Sequence, residues 1–203
     1  MKERIASRIR STKETEITVR LNIDGTGKTR IKTGIGLLDH MLELFGFWGH
    51  FDLEIFTSKA DMEIDIHHAN EDVGIVLGQA FKEALGDKKS INRIGSASAP
   101  MENVTACVTV DISGRGSLKI NMPNGAFEYH QAQEGYEFKY LEHFLDSFSK
   151  QLGMNLNIKL ENPSKDLHTT LEPVFKALGI SLDLATQIDP RRKGVPSTKG
   201  VID

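Results

Sequence analysis

The sequence predicts an α+β protein made by internal duplication of a strand-and-helix unit. Two observations predict it. One pattern is written twice, about a hundred residues apart: LDHMLELF (Leu38 to Phe45) followed by HHANEDVG (His67 to Gly74), then LEHFLDSF (Leu141 to Phe148) followed by HTTLEPVF (His168 to Phe175). In both copies the hydrophobic period also changes from two to 3.6 in the same order of elements. We place the first repeat at residues 1–95 and the second at 96–203, the latter ending in a polar tail.

Each element has its own signal. Glu16 to Ile23 alternates, with Ile17, Val19, Leu21 and Ile23 on one face, as a half-buried strand does. Asp24-Gly25-Thr26-Gly27 turns, and Thr29 to Thr33 is expected to return as a second strand. From Gly34 to Phe47 a helical stripe appears in Leu38, Met41, Leu42 and Phe45. Phe51 to Phe56 and Met62 to Ile66 are expected strands. His67 to Leu85 is a helix with Val73, Val76, Leu77, Ala80, Phe81 and Ala84 inward and Gly86 as its C-cap.

The second repeat follows suit. Val104, Ala106, Val108 and Val110 mark a strand, residues 112–116 a turn, and Leu118, Ile120 and Met122 a returning strand. Tyr136 to Leu152 reads as a helix, Met154 to Leu160 as a strand broken by Asn162-Pro163-Ser164, and His168 to Thr186 as a helix. The loop from Pro123 to Glu134 is the least determined stretch. Two such halves, each a sheet with helices on one face, pack helix face to helix face or sheet to sheet.

Composition narrows the function classes. With a net charge of −3 and no basic tract, nucleic acid is not an expected partner. No apolar run approaches the roughly 18 residues of a membrane span. The opening MKERIASRIRSTKETE lacks the apolar core of a secretory signal. Cys107, the single cysteine, sits in an alternating strand and reads as an inert buried thiol in a reducing cytosol.

The repeated residues carry the chemistry. His67 with Glu71, and His168 with Glu172, lie four apart, so each pair shares one helix face and can chelate one ion. His68 can join them or point to a neighbouring site. His40 and His143 fall at the same point of the two copies, one helix earlier. A lone histidine at a helix start is usually a cap or surface residue, but a matched duplicate set of imidazoles and carboxylates suits borderline divalent metals such as Mn, Fe, Co or Zn. Helix N-termini repel cations, so a metal there needs several ligands and points to help from a second subunit. His50 and His130 have no counterpart and read as structural or surface residues. Arg93 in INRIG, Arg115 in SGRG, Lys176, and Ser197 and Lys199 in the tail PSTKG form a candidate anion-binding set. Each alone would read as a solvated surface group.

Taken in order, TGIGLLDHML, HHANEDVGIVLGQA, INRIG, VDISGRG, LEHFLDSF, HTTLEPVFKA and DPRRKGVPSTKGVI resemble the imidazoleglycerol-phosphate dehydratase family over almost the whole chain. The resemblance implies a ribosomal protein S5 domain 2-like fold, two four-stranded sheets with helices packed between them. It implies dehydration of imidazole glycerol phosphate to imidazole acetol phosphate in histidine biosynthesis, in the cytoplasm, by a 24-subunit homo-oligomer with active sites at subunit contacts. Two Mn2+ ions per site would be held by His40, His67, His68, Glu71, His143, His168 and Glu172. Glu14, with Glu71 and Glu172, would serve catalysis. Glu14, Arg93, Arg115, Lys176, Ser197 and Lys199 would contact the phosphorylated substrate. The chain departs from the family pattern at Ile66 (an Asp pair is usual there), Leu44 (often Gln) and Gly116 (usually Pro). Above all, Thr169 stands where a ligand His is expected. A hydroxyl is a far weaker ligand than imidazole, so the alternative reading is a catalytically weakened, metal-bound structural assembly.

Overall fold

The computed structural model describes residues 3–123 and 132–202. The first repeat runs β1 (Ile5–Ser11), β2 (Glu16–Asn22), β3 (Thr29–Lys32), α1 (Gly36–Trp48), β4 (Asp52–Lys59) and α2 (His67–Leu85). The second runs β5 (Ile94–Met101), β6 (Val104–Asp111), β7 (Ser117–Asn121), a short pair β8 (Ala132–Gln133) and β9 (Tyr136–Glu137), then α3 (Phe138–Leu152), β10 (Asn155–Glu161) and α4 (Leu167–Thr186). Each repeat makes a four-stranded mixed sheet, ordered β1-β2-β4-β3 and β5-β6-β10-β7. Duplication therefore holds strand for strand within the two four-stranded sheets, the β8–β9 pair being the second repeat's own.

Four details differ from the sequence reading. First, β3 does not fold back on β2. It runs parallel to β4, with Ile31 opposite Ile55, and α1 is the crossover; β7, α3 and β10 repeat this. Second, β1 and β5 are strands that hydrophobic alternation did not reveal. They are edge strands, and the residues β1 and β5 bury are small: Ala6 in one, Gly95 and Ala99 in the other. Third, Met62 to Ile66 is a turn, closed by Ile64 N–H on the Asp61 carbonyl at 2.9 Å, and Ile64 is 78% exposed. Both edges of β4 are already taken by β2 and β3, so this segment has no strand to join. Ile66 thus continues no strand face, although it and Met62 lean on the core. Fourth, α3 begins at Phe138, because Tyr136 and Glu137 pair with β8 instead. Most of the loop after Pro123 lies outside the described residues, as does His130.

The helices lie between the sheets. α2 packs on β1 and β2 with one side and along α3 with the other, and α4 packs on β5, β6 and α1. Of the two packings the pattern left open, the chain takes helix face to helix face. Sheet residues Ile17, Val19, Leu21, Ala106, Val108, Val110, Leu156 and Ile158 point inward and are buried. At the centre Phe45, Phe81 and Phe148 meet edge to face, with centroids 5.7 to 6.0 Å apart. Burying each such ring is worth roughly 2–3 kcal/mol. Glycine sets how closely the helices cross. A Cβ on Gly78 would sit 2.7 Å from the Phe148 carbonyl, and one on its counterpart Gly179 would sit 2.5 Å from that of Phe45. Those two backbone contacts bring α3 onto α2 and α1 onto α4.

Candidate metal centre

Carboxylates fix the turns that carry the histidines. Asp39 accepts from the Thr33 N–H at 2.8 Å and from the Thr33 hydroxyl, setting the entry into α1. Asp65 accepts from the His67 N–H at 3.0 Å and the Tyr140 hydroxyl at 2.8 Å. Its counterpart Asp166 caps α4, accepting from the Thr169 N–H at 3.3 Å and the Thr169 hydroxyl at 2.5 Å. The Tyr140 hydroxyl holds Asp65 below the usual carboxylate range, and the Thr169 hydroxyl does the same for Asp166. Buried Asn70 bridges α2 to the start of α3, donating to the Tyr140 carbonyl at 2.7 Å and accepting from the Tyr136 hydroxyl at 2.8 Å.

Because α1 crosses α4 and α3 crosses α2, each imidazole–carboxylate pair receives a third member from the other repeat. His168 Nε2 lies 3.2 Å from Glu172 Oε2, and His40 Nε2 of the first repeat lies 3.8 Å from the same oxygen. The ligand atoms of His40, His168 and Glu172 all fall within 4.8 Å of one another. The matching group is more open: His67 Nε2 lies 3.4 Å from Glu71, and His143 Nδ1 of the second repeat lies 2.8 Å from His67 Nδ1, on the other side of the ring, so the three do not converge on one point as the first set does. The two triads differ in surroundings. Glu172 is mostly buried and paired with Lys176 at 2.5 Å, while Glu71 is 43% exposed and, among the described residues, meets the Ser147 hydroxyl at 3.5 Å besides His67. Burial pushes the Glu172 carboxyl up, but Lys176 and then His168 hold it below its ordinary value.

His68 joins neither triad of its own chain. Its Nδ1 lies 2.9 Å from Asp61 Oδ2 and 3.8 Å from Glu14 Oε2. The hydrogen bond to Asp61 raises its pKa, with Glu14 adding to the effect. Glu14 rides on the β1–β2 turn, which is pinned to α2 through Thr15 and Arg10 on Asp72. Sequence reasoning missed Asp61. It lies across a turn from His68, where no helical or strand spacing links them.

The anion-binding set is dispersed. Lys176 faces the Glu172 triad. Arg115 is exposed at the β6–β7 turn. Arg93 is already engaged: it grips Asp111 through two nitrogens, at 2.6 and 3.1 Å, and donates to the Pro196 carbonyl at 3.0 Å. In this chain it ties down the tail that bears Ser197 and Lys199. The Arg93 N–H also bonds the Ala185 carbonyl, at the far end of α4 from His168. At 1.5 Å per residue that is about 25 Å along the helix. Cys107, expected to be buried, is only half-buried; it faces outward from β6 beside the Ser98 hydroxyl at 3.1 Å, because Ala106 and Val108 take the inward positions. His50 is a surface residue, 3.9 Å from Asp183.

Fold and site define a class: duplicated α+β proteins that gather imidazole and carboxylate donors where the helices of one repeat cross those of the other. The family model for imidazoleglycerol-phosphate dehydratase matches residues 33–182. The imidazoleglycerol-phosphate dehydratase of Thermoanaerobacter pseudethanolicus is 47% identical over 193 residues, covering 95% of this chain and 96% of that protein. That of Bacillus subtilis is 44% identical, covering 98% and 100%. The crystal structure of the Pyrococcus furiosus enzyme superposes with a TM-score of 0.79 at 33% identity, covering 96% of this chain and 99% of the other. The Staphylococcus aureus enzyme gives 0.78 at 30% identity, covering 91% and 99%. The chain belongs to the imidazoleglycerol-phosphate dehydratase family, hydro-lyases of histidine biosynthesis. Among the described residues no helix is long and apolar enough to cross a membrane.

Proposed function

We propose that this chain dehydrates imidazole glycerol phosphate to imidazole acetol phosphate with divalent metal ions, Mn2+ foremost, inside a homo-oligomer for which the family resemblance suggests 24 copies in the cytoplasm. The observation that carries the reading is the pair of crossed triads. Imidazole nitrogen and carboxylate oxygen are the donors a borderline divalent cation takes; His40, His168 and Glu172 bring three of them to one point, and His67, Glu71 and His143 gather the same donor types around one ring. His40, His168 and Glu172 would hold one ion and His67, Glu71 and His143 the other, with His68 as a further ligand. A bound ion supplies Lewis-acid activation of the substrate's imidazole ring.

The chain's own groups do the rest. The hydroxyl on the carbon next to the ring leaves as water, the neighbouring carbon gives up its proton, and the resulting enol tautomerises to the ketone. Glu14, a carboxylate on an exposed turn beside His68, is the group suited to hold or move that proton. Lys176, Arg115, Ser197 and Lys199 suit the phosphate, whose remote binding holds the reacting carbons in place. Arg93 serves by anchoring the tail. The tail's anchor and the His168 end of α4 are too far apart for one small substrate to span. This supports active sites assembled from several copies.

The test joins metal content per subunit, after purification in Mn2+, to a dehydratase assay. Turnover with bound metal, lost in Glu172→Gln while the assembly keeps its size, supports the reading. Undiminished turnover in that variant overturns it. The second reading, a weakened metal-bound assembly, draws on one observation: the Thr169 hydroxyl donates to Asp166 in the helix cap, where the other repeat has an imidazole. Metal-bound assembly without turnover in the wild-type chain would favour it.

A further inference from the structure

The first repeat contains a pair that the second has lost together. Six residues before His67 stands Asp61, and His68 follows His67; the same steps from His168 give Asn162 and Thr169. Asp61 Oδ2 accepts from His68 Nδ1 at 2.9 Å. In the second repeat Asn162 instead reaches toward the Asn103 carbonyl at 3.5 Å, and Thr169 turns into the cap of its own helix. The carboxylate is thus present where the imidazole is present and absent where it is absent. Glu14, the other acid facing His68, sits on the turn between β1 and β2, whose counterpart between β5 and β6 is the shorter Glu102-Asn103.

The ligand atoms of Asp61, His68 and Glu14 lie within 4.8 Å of one another, and the Asp61 carboxylate makes no hydrogen bond other than that to His68 among the described residues. Its second oxygen, Oδ1, is buried with no hydrogen-bond partner among the described residues. A buried carboxylate oxygen left so is costly, and the turn at residues 61–64 does not use it: the turn is closed by the Asp61 backbone carbonyl. A carboxylate on Nδ1 of an imidazole fixes the tautomer and leaves Nε2 as the free ligand atom. His68 touches its own chain's triads only ring to ring, edge-on to His67 at 5.8 Å.

We propose that Asp61 is a positioning residue that presents His68 Nε2 to a metal held by another copy, and that each chain exports one such imidazole instead of two. This rests on the metal reading above. It makes the two metal positions unequal: one gains His68, while the other has only its triad, because the second repeat exports no imidazole.

The experiment is Mn2+ titration of the intact assembly, reading free Mn2+ by its paramagnetic resonance signal. Wild type should show one tight and one weak class per chain. Asp61→Asn should weaken the tight class about 10–100-fold, with assembly size and melting temperature retained. Conversely, Asn162→Asp with Thr169→His should convert the weak class into a second tight one, and Thr169→His alone should do so only in part. This gain does not depend on Asp61 variants folding. An isotherm unchanged by Asp61→Asn overturns the proposal and leaves the metal reading standing. So does a full second tight class from Thr169→His alone. Loss of a third tight ion in Asp61→Asn would make Asp61 a ligand and also overturn it. No Mn2+ uptake by wild type would overturn the metal reading itself.

Discussion

Lys176 Nζ lies 2.5 Å from Glu172 Oε1, on the same carboxylate that His168 and His40 face through its other oxygen. Without metal, that ammonium is the neighbouring cation holding the carboxylate ionised in a mostly buried place. Removing one partner of such a pair leaves the other uncompensated. Lys176→Met should therefore cost the metal-free protein about 1–3 kcal/mol. Added Mn2+ should raise its melting temperature more than it raises that of wild type. An equal rise in both proteins would show that Lys176 and metal do not share Glu172.

Gly179 sets the distance between α1 and α4. Alanine there meets the Phe45 carbonyl carbon and oxygen, which cannot swing aside as a side chain would. Gly179→Ala should cost about 1–3 kcal/mol by overpacking and move His40 away from Glu172. The triad loses a member without any ligand being replaced. Chemical denaturation gives the first effect and Mn2+ affinity the second; a variant of normal stability and affinity would sink the idea.

Arg93 holds Pro196 and thereby the segment carrying Ser197 and Lys199. In Arg93→Ala the tail should become cleavable by protease at low concentration while the core resists, and KM for the phosphorylated substrate should rise more than kcat falls. Asp111, left without its forked partner, should lower stability by about 1–2 kcal/mol. A tail as protected as in wild type would contradict the tether.

Asp24 gives a pH signature. The Arg4 side chain hydrogen-bonds it at 2.8 Å and holds its pKa below the ordinary value, against the opposing effect of burial. The folded value lies under the unfolded one. This pair's contribution is thus complete above about pH 4 and fades as pH falls through the lower folded value. Asp24 is half exposed, which keeps the contribution under about 1 kcal/mol. Urea midpoints of wild type and Arg4→Met should therefore differ most near neutral pH and draw closer as pH falls below the ordinary carboxylate range, down to the constant share due to the Arg4 bond on the Thr186 carbonyl. A gap that widens in acid would refute the sign.

The elements legible in the sequence are those that obey a single period. α2 is legible to the residue because its apolar positions follow one helical face, and β2, β6 and β10 because their inward residues are mostly β-branched or Leu. β1 and β5 are hidden since their inward positions hold Ala and Gly, while Ile5, Ile9 and Ile94 face outward. Met62 to Ile66 misleads for the opposite reason: its alternation is genuine, but no free strand edge exists for it. In the site, the repeated His and Glu are legible one by one. Their grouping is not, because which helix crosses which is set by packing and not by spacing. Arg93 looks like a free cation since Asp111, its partner, is distant in sequence and adjacent only in the sheet.

The crossed triads bear on what half of this chain could be. Neither repeat owns a complete triad; each holds two members of one and a single member of the other. A fragment ending between α2 and β5 would carry His40 with nothing to meet and His67 and Glu71 short of a third donor. Two identical first-repeat fragments, related by a twofold axis, would place each His40 against the other's α2 and regain three donors twice over. The fused chain is thus a dimer in one polypeptide. Its two halves are free to differ, as they do at the pairs Asp61/Asn162 and His68/Thr169.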